Sequence, residues 1–160
     1  MPNWCWNSLS VRGEKKAVEE FKKKAKLNSK DFKTALSLAK LYPEPDYKKI
    51  KVDPAFPKRE KEKSIMPDWW NWRVTNWGTK WDVEAYVQDE REFKNGKKQV
   101  RFNFDSAWSP PCEWLRRVAE DYPHLVFRLS YEETGMNFKG TTIGKGKEFI
   151  DRCYPIYPEE

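Results

Sequence analysis

Histidine and cysteine are scarce in this sequence. Its 160 residues include one histidine, His124, and three cysteines, at positions 5, 112 and 153. One histidine leaves little from which to build a histidine-ligated metal site or to pair a base with a cysteine nucleophile. An odd number of widely spaced cysteines, with no signal peptide before them, indicates reduced thiols in a cytoplasm. We therefore expect neither a metal site nor a disulfide framework.

Long apolar runs and recognisable catalytic motifs are absent as well. No stretch is long enough to cross a bilayer, so we expect a cytoplasmic protein without a membrane partner. The carboxylates lack the spacing that is diagnostic of an acid–base pair, and Cys112 is best interpreted as a structural thiol. Residues 140–147 superficially resemble a phosphate loop, but the Gly-Lys-Ser/Thr ending and a following helix are missing. The sequence predicts a protein that is not an enzyme and has no cofactor.

Aromatic side chains and positive charge are what the chain has in quantity. Aromatic residues make up 16% of it, with 38% hydrophobic and 35% charged residues overall, so the core is built from few, large side chains. The net charge is +6, and the segment from Arg12 to Lys63 holds 17 Lys/Arg against 9 Asp/Glu. Such a surface favours anionic partners, although it can also serve solubility alone. The length predicts a single domain over residues 1–160.

The hydrophobic pattern predicts a strand–helix–strand–strand–helix–strand order. A strand over 3–11 precedes a helix over 14–27, and Asn95-Gly96 marks a hairpin between strands near 83–88 and 100–104. Ser109-Pro110-Pro111 opens the second helix, with Ser109 as N-cap, and a strand over 125–131 follows. This order is that of an α+β, ferredoxin-like split βαββαβ antiparallel sheet with two helices on one face.

Two segments fall outside this pattern. Residues 28–67 carry five prolines and a mixed-charge run at 58–63, which predicts an irregular Lys/Pro-rich insertion after the first helix. Residues 134–160 form a C-terminal extension in which four glycines punctuate a short hairpin.

Five of the nine tryptophans fall within residues 68–82. Tryptophan is costly to leave in water and is seldom fully buried, because its N–H needs a partner. A segment this rich in tryptophan, interleaved with Arg73, Asn76 and Lys80, has two uses. The rings can wedge the domain together, or they can line a pocket with flat walls and charged rims. Both uses are compatible, with one ring face packed and the other presented.

The predicted topology places a second group of aromatic and basic side chains on one surface. The sheet face away from the helices would carry Trp4, Trp6, Tyr86, Arg101, Asn103 and Arg128. An exposed sheet face with aromatics and arginines is how RNA-recognition modules stack bases. The return strand, however, offers Arg101 and Asn103 where such modules place aromatics, and the tryptophan-rich segment can fold across this face.

Three motifs carry a resemblance to a known family. They are residues 1–7 (MPNWCWN), the run from Trp72 to Asp82 and residues 107–111 (AWSPP), and they resemble the YubB-type ferredoxin-like family of bacteriophages and conjugative plasmids. The resemblance also takes in residues 131–140 and leaves out the Lys/Pro-rich insertion. It implies the fold, a mobile-element origin and residence in a bacterial host cell, but no activity or catalytic residues. A small phage protein of this kind suggests a counter-defence role, by analogy alone.

The leading hypothesis is a non-enzymatic binding protein that sequesters a nucleotide-like anionic ligand. A homo-oligomer would enclose such a ligand more fully than one small domain does. The predicted ligand-binding residues are Trp4, Trp6, Arg73, Asn76, Trp77, Lys80, Trp81, Arg101 and Trp108. One alternative is a protein–protein inhibitor of a host defence complex that docks through its basic surface, Lys22 to Lys63. The other is single-stranded nucleic-acid binding on the open sheet face.

Overall fold

A computed structural model describes residues 1–49 and 68–158. The helices and strands, in chain order, are β1 (Trp4–Glu14), α1 (Lys15–Ala25), β2 (Leu27–Asn28), β3 (Lys33–Thr34), α2 (Leu38–Leu41), α3 (Asp68–Asn76), β4 (Tyr86–Glu92), β5 (Lys97–Ala107), α4 (Cys112–Asp121), β6 (Val126–Glu133), β7 (Phe138–Lys145) and β8 (Glu148–Tyr154). None of the helices in these ranges is both long and apolar enough to cross a membrane.

The main sheet has six antiparallel strands in the order β4-β5-β1-β6-β7-β8. Its first four positions are the split βαββαβ arrangement, with β1 central and α1 and α4 as the two connecting helices. The predicted α+β, ferredoxin-like fold is therefore confirmed. The two C-terminal strands pair with each other and extend this sheet beyond β6.

Alternation along β1 separates the two faces of the sheet. Cys5, Leu9 and Val11 are fully buried, whereas Trp4 and Trp6 remain 53% and 45% exposed. Successive side chains of a strand point to opposite faces, so the first set packs under the helices and the second lies on the face that none of the described helices covers. We call this second surface the open face.

The helices cover the buried face with short apolar stripes. Helix α1 buries Val18, Phe21 and Ala25, and the Phe21 ring meets Phe102 of β5 and Phe127 of β6 edge to face. Helix α4 buries a corresponding stripe of Trp114, Leu115, Val118 and Ala119. Large side chains on few positions thus build the core, as the composition predicts.

The start of α4 differs from the prediction. Ser109 does not cap this helix, which begins at Cys112 after Pro111. The Ser109 hydroxyl instead donates to the carbonyl of Gly78, so it fastens the tryptophan-rich segment to the end of β5.

The predicted insertion, residues 28–67, contains some regular structure. Its described part contains the last residue of β2, all of β3, which pairs with β2, and α2, whose N-cap is Ser37. The mixed-charge run at 58–63, and with it part of the basic surface proposed from Lys22 to Lys63, lies outside the described residues. In the described part of this basic surface, Lys22 forms ion pairs with Glu19 and Glu90.

A buried lysine predicts how stability responds to acid. Lys98 is 7% exposed and binds Glu19 and Glu90, and hydrogen bonds from Lys98 and Lys22 hold the pKa values of these two carboxyls below their usual range. A carboxyl whose pKa is lower in the folded state stabilises the protein fully above its unfolded-state pKa of about 4.3. This stabilisation is lost as the pH falls through the folded-state pKa. We expect Lys98→Met to flatten the loss of stability between pH 6 and 3.

The size of this effect is modest because both carboxylates are half-buried and solvent screens them, so about 1 kcal/mol or less is expected. Urea unfolding at a series of pH values measures it. Lys97→Met is the matched control, since it removes a neighbouring lysine that pairs with the exposed Glu14. An acid limb equally steep in wild type and both variants would contradict the assignment.

Candidate functional site

The tryptophan-rich segment serves mainly as structure. Residues 68–76 form α3, and Trp77 directly after it is fully buried, with its Nε1 donating to the Tyr42 carbonyl at 2.9 Å. Trp72 packs edge to face against both Trp77 and the Tyr42 ring. Trp77 was predicted to bind a ligand, but here its ring is packed in the core and its N–H is already bonded.

Arg73 and Asn76 are likewise engaged within the chain. The Arg73 guanidinium pairs with Glu44, donates to the Lys80 carbonyl at 3.3 Å and lies 5.1 Å from the Trp77 ring centroid. Asn76 accepts from the Tyr42 hydroxyl at 3.0 Å and donates to the Trp72 carbonyl at 2.9 Å. Both side chains thus hold α3 against the segment around Tyr42.

Lys80, Trp81 and Trp4 make a separate cluster at the surface. The Lys80 ammonium lies 4.2 Å from the Trp81 ring centroid, and the Trp81 and Trp4 centroids are 6.1 Å apart. Beside Trp4 is a hollow of about 400 Å³, lined otherwise by Phe32, Asp82, Glu84 and Asp105. Three carboxylates make this hollow unfavourable for an anion.

Trp108 stands apart from these rings. It is 42% exposed and follows the end of β5 with a backbone φ of +68°, a left-handed conformation that bulky residues rarely adopt. Its backbone N–H donates to the Asn3 carbonyl, which continues the β1–β5 pairing by one more residue.

The open face carries a second hollow, of about 350 Å³. Its walls and floor come from three adjacent strands: Trp6, Ser8 and Ser10 of β1, Gln99 and Arg101 of β5, and Arg128 and Ser130 of β6. The hollow forms because the central strand contributes small serines while its neighbours contribute long side chains. We call it the serine trough.

Two arginines face each other across the serine trough. Ser10 pairs with Arg101 on one side and with Arg128 on the other, so the three residues form one row across the sheet. Arg101 also makes a single contact of 3.5 Å with Asp89, between side chains that are both more than 40% exposed. Within residues 1–49 and 68–158, Arg128 has no ion pair or hydrogen bond. The two arginines thus flank Ser10 on the open face, and both line the same hollow.

The trough gathers only part of the predicted site. Trp6 and Arg101 line it, Trp4, Lys80 and Trp81 form the neighbouring cluster, and the others lie elsewhere. The sequence-based selection omitted the remaining trough residues, Ser8, Ser10, Gln99, Arg128 and Ser130. The alternation along β1, β5 and β6 places all five on the open face. The sequence signal that could have identified them is this alternation combined with the register between the strands.

Two of the three cysteines, Cys5 and Cys112, have buried thiols. Burial raises the pKa of the Cys112 thiol to about 12, and its Sγ lies 3.3 Å from the Thr142 hydroxyl. Burial raises the pKa of Cys5 to about 12 as well. Both thiols are therefore protonated at neutral pH, which agrees with a structural role for Cys112. Among the described residues, no group of three or more His, Cys, Asp or Glu side chains is placed to hold a metal ion.

Comparisons with known proteins relate the chain to one family. The model of that family, the ferredoxin-like domain in Api92-like protein, matches residues 77–159. The crystal structure of the protein api92 from Yersinia pseudotuberculosis aligns with 99% of this chain and 100% of its own, with a TM-score of 0.58 and 9% identity. At that identity the likeness shows a shared fold alone. A comparison with curated proteins gave no match.

Proposed function

The chain belongs to the family of Api92-like proteins with a ferredoxin-like domain, and we propose that it binds a nucleotide-like anionic ligand in the serine trough. The observation that carries this proposal is the row of Arg101, Ser10 and Arg128, with the half-exposed Trp6 ring in the same hollow. An anion-binding pair and a flat aromatic surface are the two elements that nucleotide recognition requires.

Each part of the trough has a defined task. The guanidinium groups of Arg101 and Arg128 bind phosphate oxygens through paired N–H donors, which are stronger than neutral hydrogen bonds. The hydroxyls of Ser8, Ser10 and Ser130 add donors to the floor. The Trp6 ring stacks on a base, an interaction worth about 1–3 kcal/mol. The volume of about 350 Å³ is within the usual range of ligand pockets.

The spacing of these parts selects the length of the ligand. Trp6 and the Ser10 row are four residues apart on β1, roughly 13 Å along the strand. A base stacked on Trp6 therefore places its nearest phosphate short of the arginine row. We expect a nucleoside diphosphate or triphosphate, or a dinucleotide, rather than a monophosphate.

The biological role that we propose is sequestration without turnover. The resemblance to the YubB-type proteins of phages and plasmids supports a mobile-element origin, and a small accessory protein of that origin fits counter-defence by withholding a host nucleotide signal. Tight binding of the intact ligand, with no product after prolonged incubation, is the outcome that this role requires.

A second candidate is single-stranded nucleic-acid binding. It is favoured by exposed aromatic and basic side chains that continue beyond the trough, with Tyr86 on β4 and Tyr154 and Arg152 on β8. This function predicts an affinity that rises with oligonucleotide length and falls steeply with salt. A nucleotide trap predicts that a single nucleotide already saturates the site.

Calorimetric titration with ATP, GTP, a cyclic dinucleotide and oligonucleotides of increasing length tests the proposal. We expect the double variant Arg101→Ala/Arg128→Ala to weaken binding at least about 100-fold, because each charge-assisted hydrogen bond contributes about 1.5–3 kcal/mol. The matched control is Arg116→Ala/Arg117→Ala, which removes the same charge from α4, on the covered side of the sheet. Equal losses in the two double variants, or no binding by wild type, would contradict the proposal.

A further inference from the structure

The surroundings of Trp6 suggest which base the trough accepts. On the open face, Trp6 pairs directly with Asp105 of β5 and with Glu132 of β6. Residues directly opposite in antiparallel strands have Cβ atoms roughly 5 Å apart, so both acidic residues are immediate neighbours of Trp6 on the open face. A stacking ring is thus flanked on both sides by hydrogen-bond acceptors.

Neither carboxylate holds two of the described elements together. Both side chains are exposed, and within the described ranges neither has an ion pair or hydrogen bond. Lys139 pairs with Glu132 in the β6–β7 register, but its ammonium lies over the Tyr154 ring instead, 5.7 Å from the centroid. No described residue thus competes with a ligand for the carboxylate oxygens of Asp105 and Glu132.

From this juxtaposition we infer that the trough is selective for guanine nucleotides, an inference that rests on the proposed function. An ionised carboxylate is an acceptor with two oxygens and no donor. Among the common bases, guanine alone presents two adjacent donors on its Watson–Crick edge, the N1–H and the exocyclic N2–H. A guanine stacked on Trp6 donates both to one flanking carboxylate. Adenine and cytosine offer only an amino group beside an acceptor nitrogen, which the carboxylate repels.

The charges along β1 also fix the orientation of such a ligand. Asp105 and Glu132 repel phosphate from the Trp6 end, whereas Arg101 and Arg128 attract it to the Ser10 row. In guanosine triphosphate, likewise, the base is at one end of the molecule and the phosphates are at the other. The two ends of the trough thus match the two ends of one molecule.

Calorimetric titration of the full chain with GTP, ITP and ATP tests the inference. We expect GTP to bind at least about tenfold more tightly than ATP, with ITP between them, because inosine keeps the N1–H and lacks the exocyclic amino group. The variant Asp105→Asn/Glu132→Gln should abolish this preference and leave ATP binding unchanged or stronger. Glu120→Gln on α4, an exposed carboxylate on the covered side, controls for the change in charge.

The outcomes separate this inference from the proposed function. Equal affinities for GTP and ATP in wild type, with both lost in Arg101→Ala/Arg128→Ala, would overturn guanine selectivity and leave anion binding intact. A GTP preference that survives Asp105→Asn/Glu132→Gln would assign selectivity to other residues and overturn it too. If none of the three nucleotides binds wild type, the proposed function fails and guanine selectivity fails with it.

Discussion

Replacing Trp77 with alanine is expected to lower the free energy of unfolding by about 3–5 kcal/mol, the usual cost of truncating a buried aromatic side chain. Trp77 is fully buried, and its ring meets Trp72 at 5.8 Å between centroids. Its Nε1 donates to the Tyr42 carbonyl, and its own carbonyl accepts from the backbone N–H of Trp114. The truncation therefore leaves a cavity and an unpaired carbonyl where α3, α4 and the Tyr42 segment meet.

Urea unfolding followed by circular dichroism measures this change. Trp4→Ala is the matched control, because Trp4 is 53% exposed and its loss should cost less than about 1 kcal/mol. If Trp77→Ala does not fold, Trp77→Phe retains part of the packing without the N–H and should give an intermediate loss. Similar stabilities for Trp77→Ala and Trp4→Ala would show that Trp77 is not part of the core.

A single methyl group at Gly140 is expected to cost about 3 kcal/mol, at the upper end of overpacking effects. Gly140 lies in β7 between Tyr131 of β6 and Cys153 of β8. A Cβ at this position would lie 2.5 Å from Cζ of Tyr131 and would also clash with its hydroxyl and with the backbone carbonyl of Arg152. The Tyr131 hydroxyl donates to Asp151 at 2.9 Å, so moving the ring also breaks a partly buried hydrogen bond.

Thermal unfolding of Gly140→Ala in two backgrounds separates the two obstacles. Tyr131→Phe removes the hydroxyl but not the Arg152 carbonyl, so the double variant should be less destabilised than the sum of the single variants predicts, without returning to the level of Tyr131→Phe. Additive costs would show that the Tyr131 hydroxyl is not what the new methyl group meets.

The sequence predicts most strands and helices of the ferredoxin-like core because their periodicity is local, but it misplaces β4, which runs over Tyr86–Glu92 rather than 83–88 and has no buried face. In β1, the alternation of Trp4, Cys5 and Trp6 alone identifies the two faces. The corresponding alternation along β5 puts Arg101 on the open face. Strand order then follows from the sequence of elements. This information suffices to bring Trp6 and Arg101 to one surface.

The fate of the tryptophan-rich segment was not predictable in the same way. Trp77 and Trp81 have similar neighbours in the sequence, yet one is fully buried and the other is 38% exposed. What distinguishes them is contact with residues far along the chain, such as Tyr42 and Glu44, which bind Trp77, Arg73 and Asn76. No local pattern encodes these contacts, so a pocket and a core wedge could not be separated from the sequence.

The central place of β1 in the sheet has a consequence for how the chain acquires its structure. Asn7 of β1 bonds to Ser106, 99 positions later, and Leu9 pairs with Leu129 further on still. During synthesis the first strand has no lateral neighbours until most of the polypeptide has left the ribosome. Non-local pairing of this kind slows folding, since the entropy of closing long loops is lost before any contact compensates for it. Maturation of this protein is therefore expected to be a late, nearly all-or-none event rather than a stepwise one.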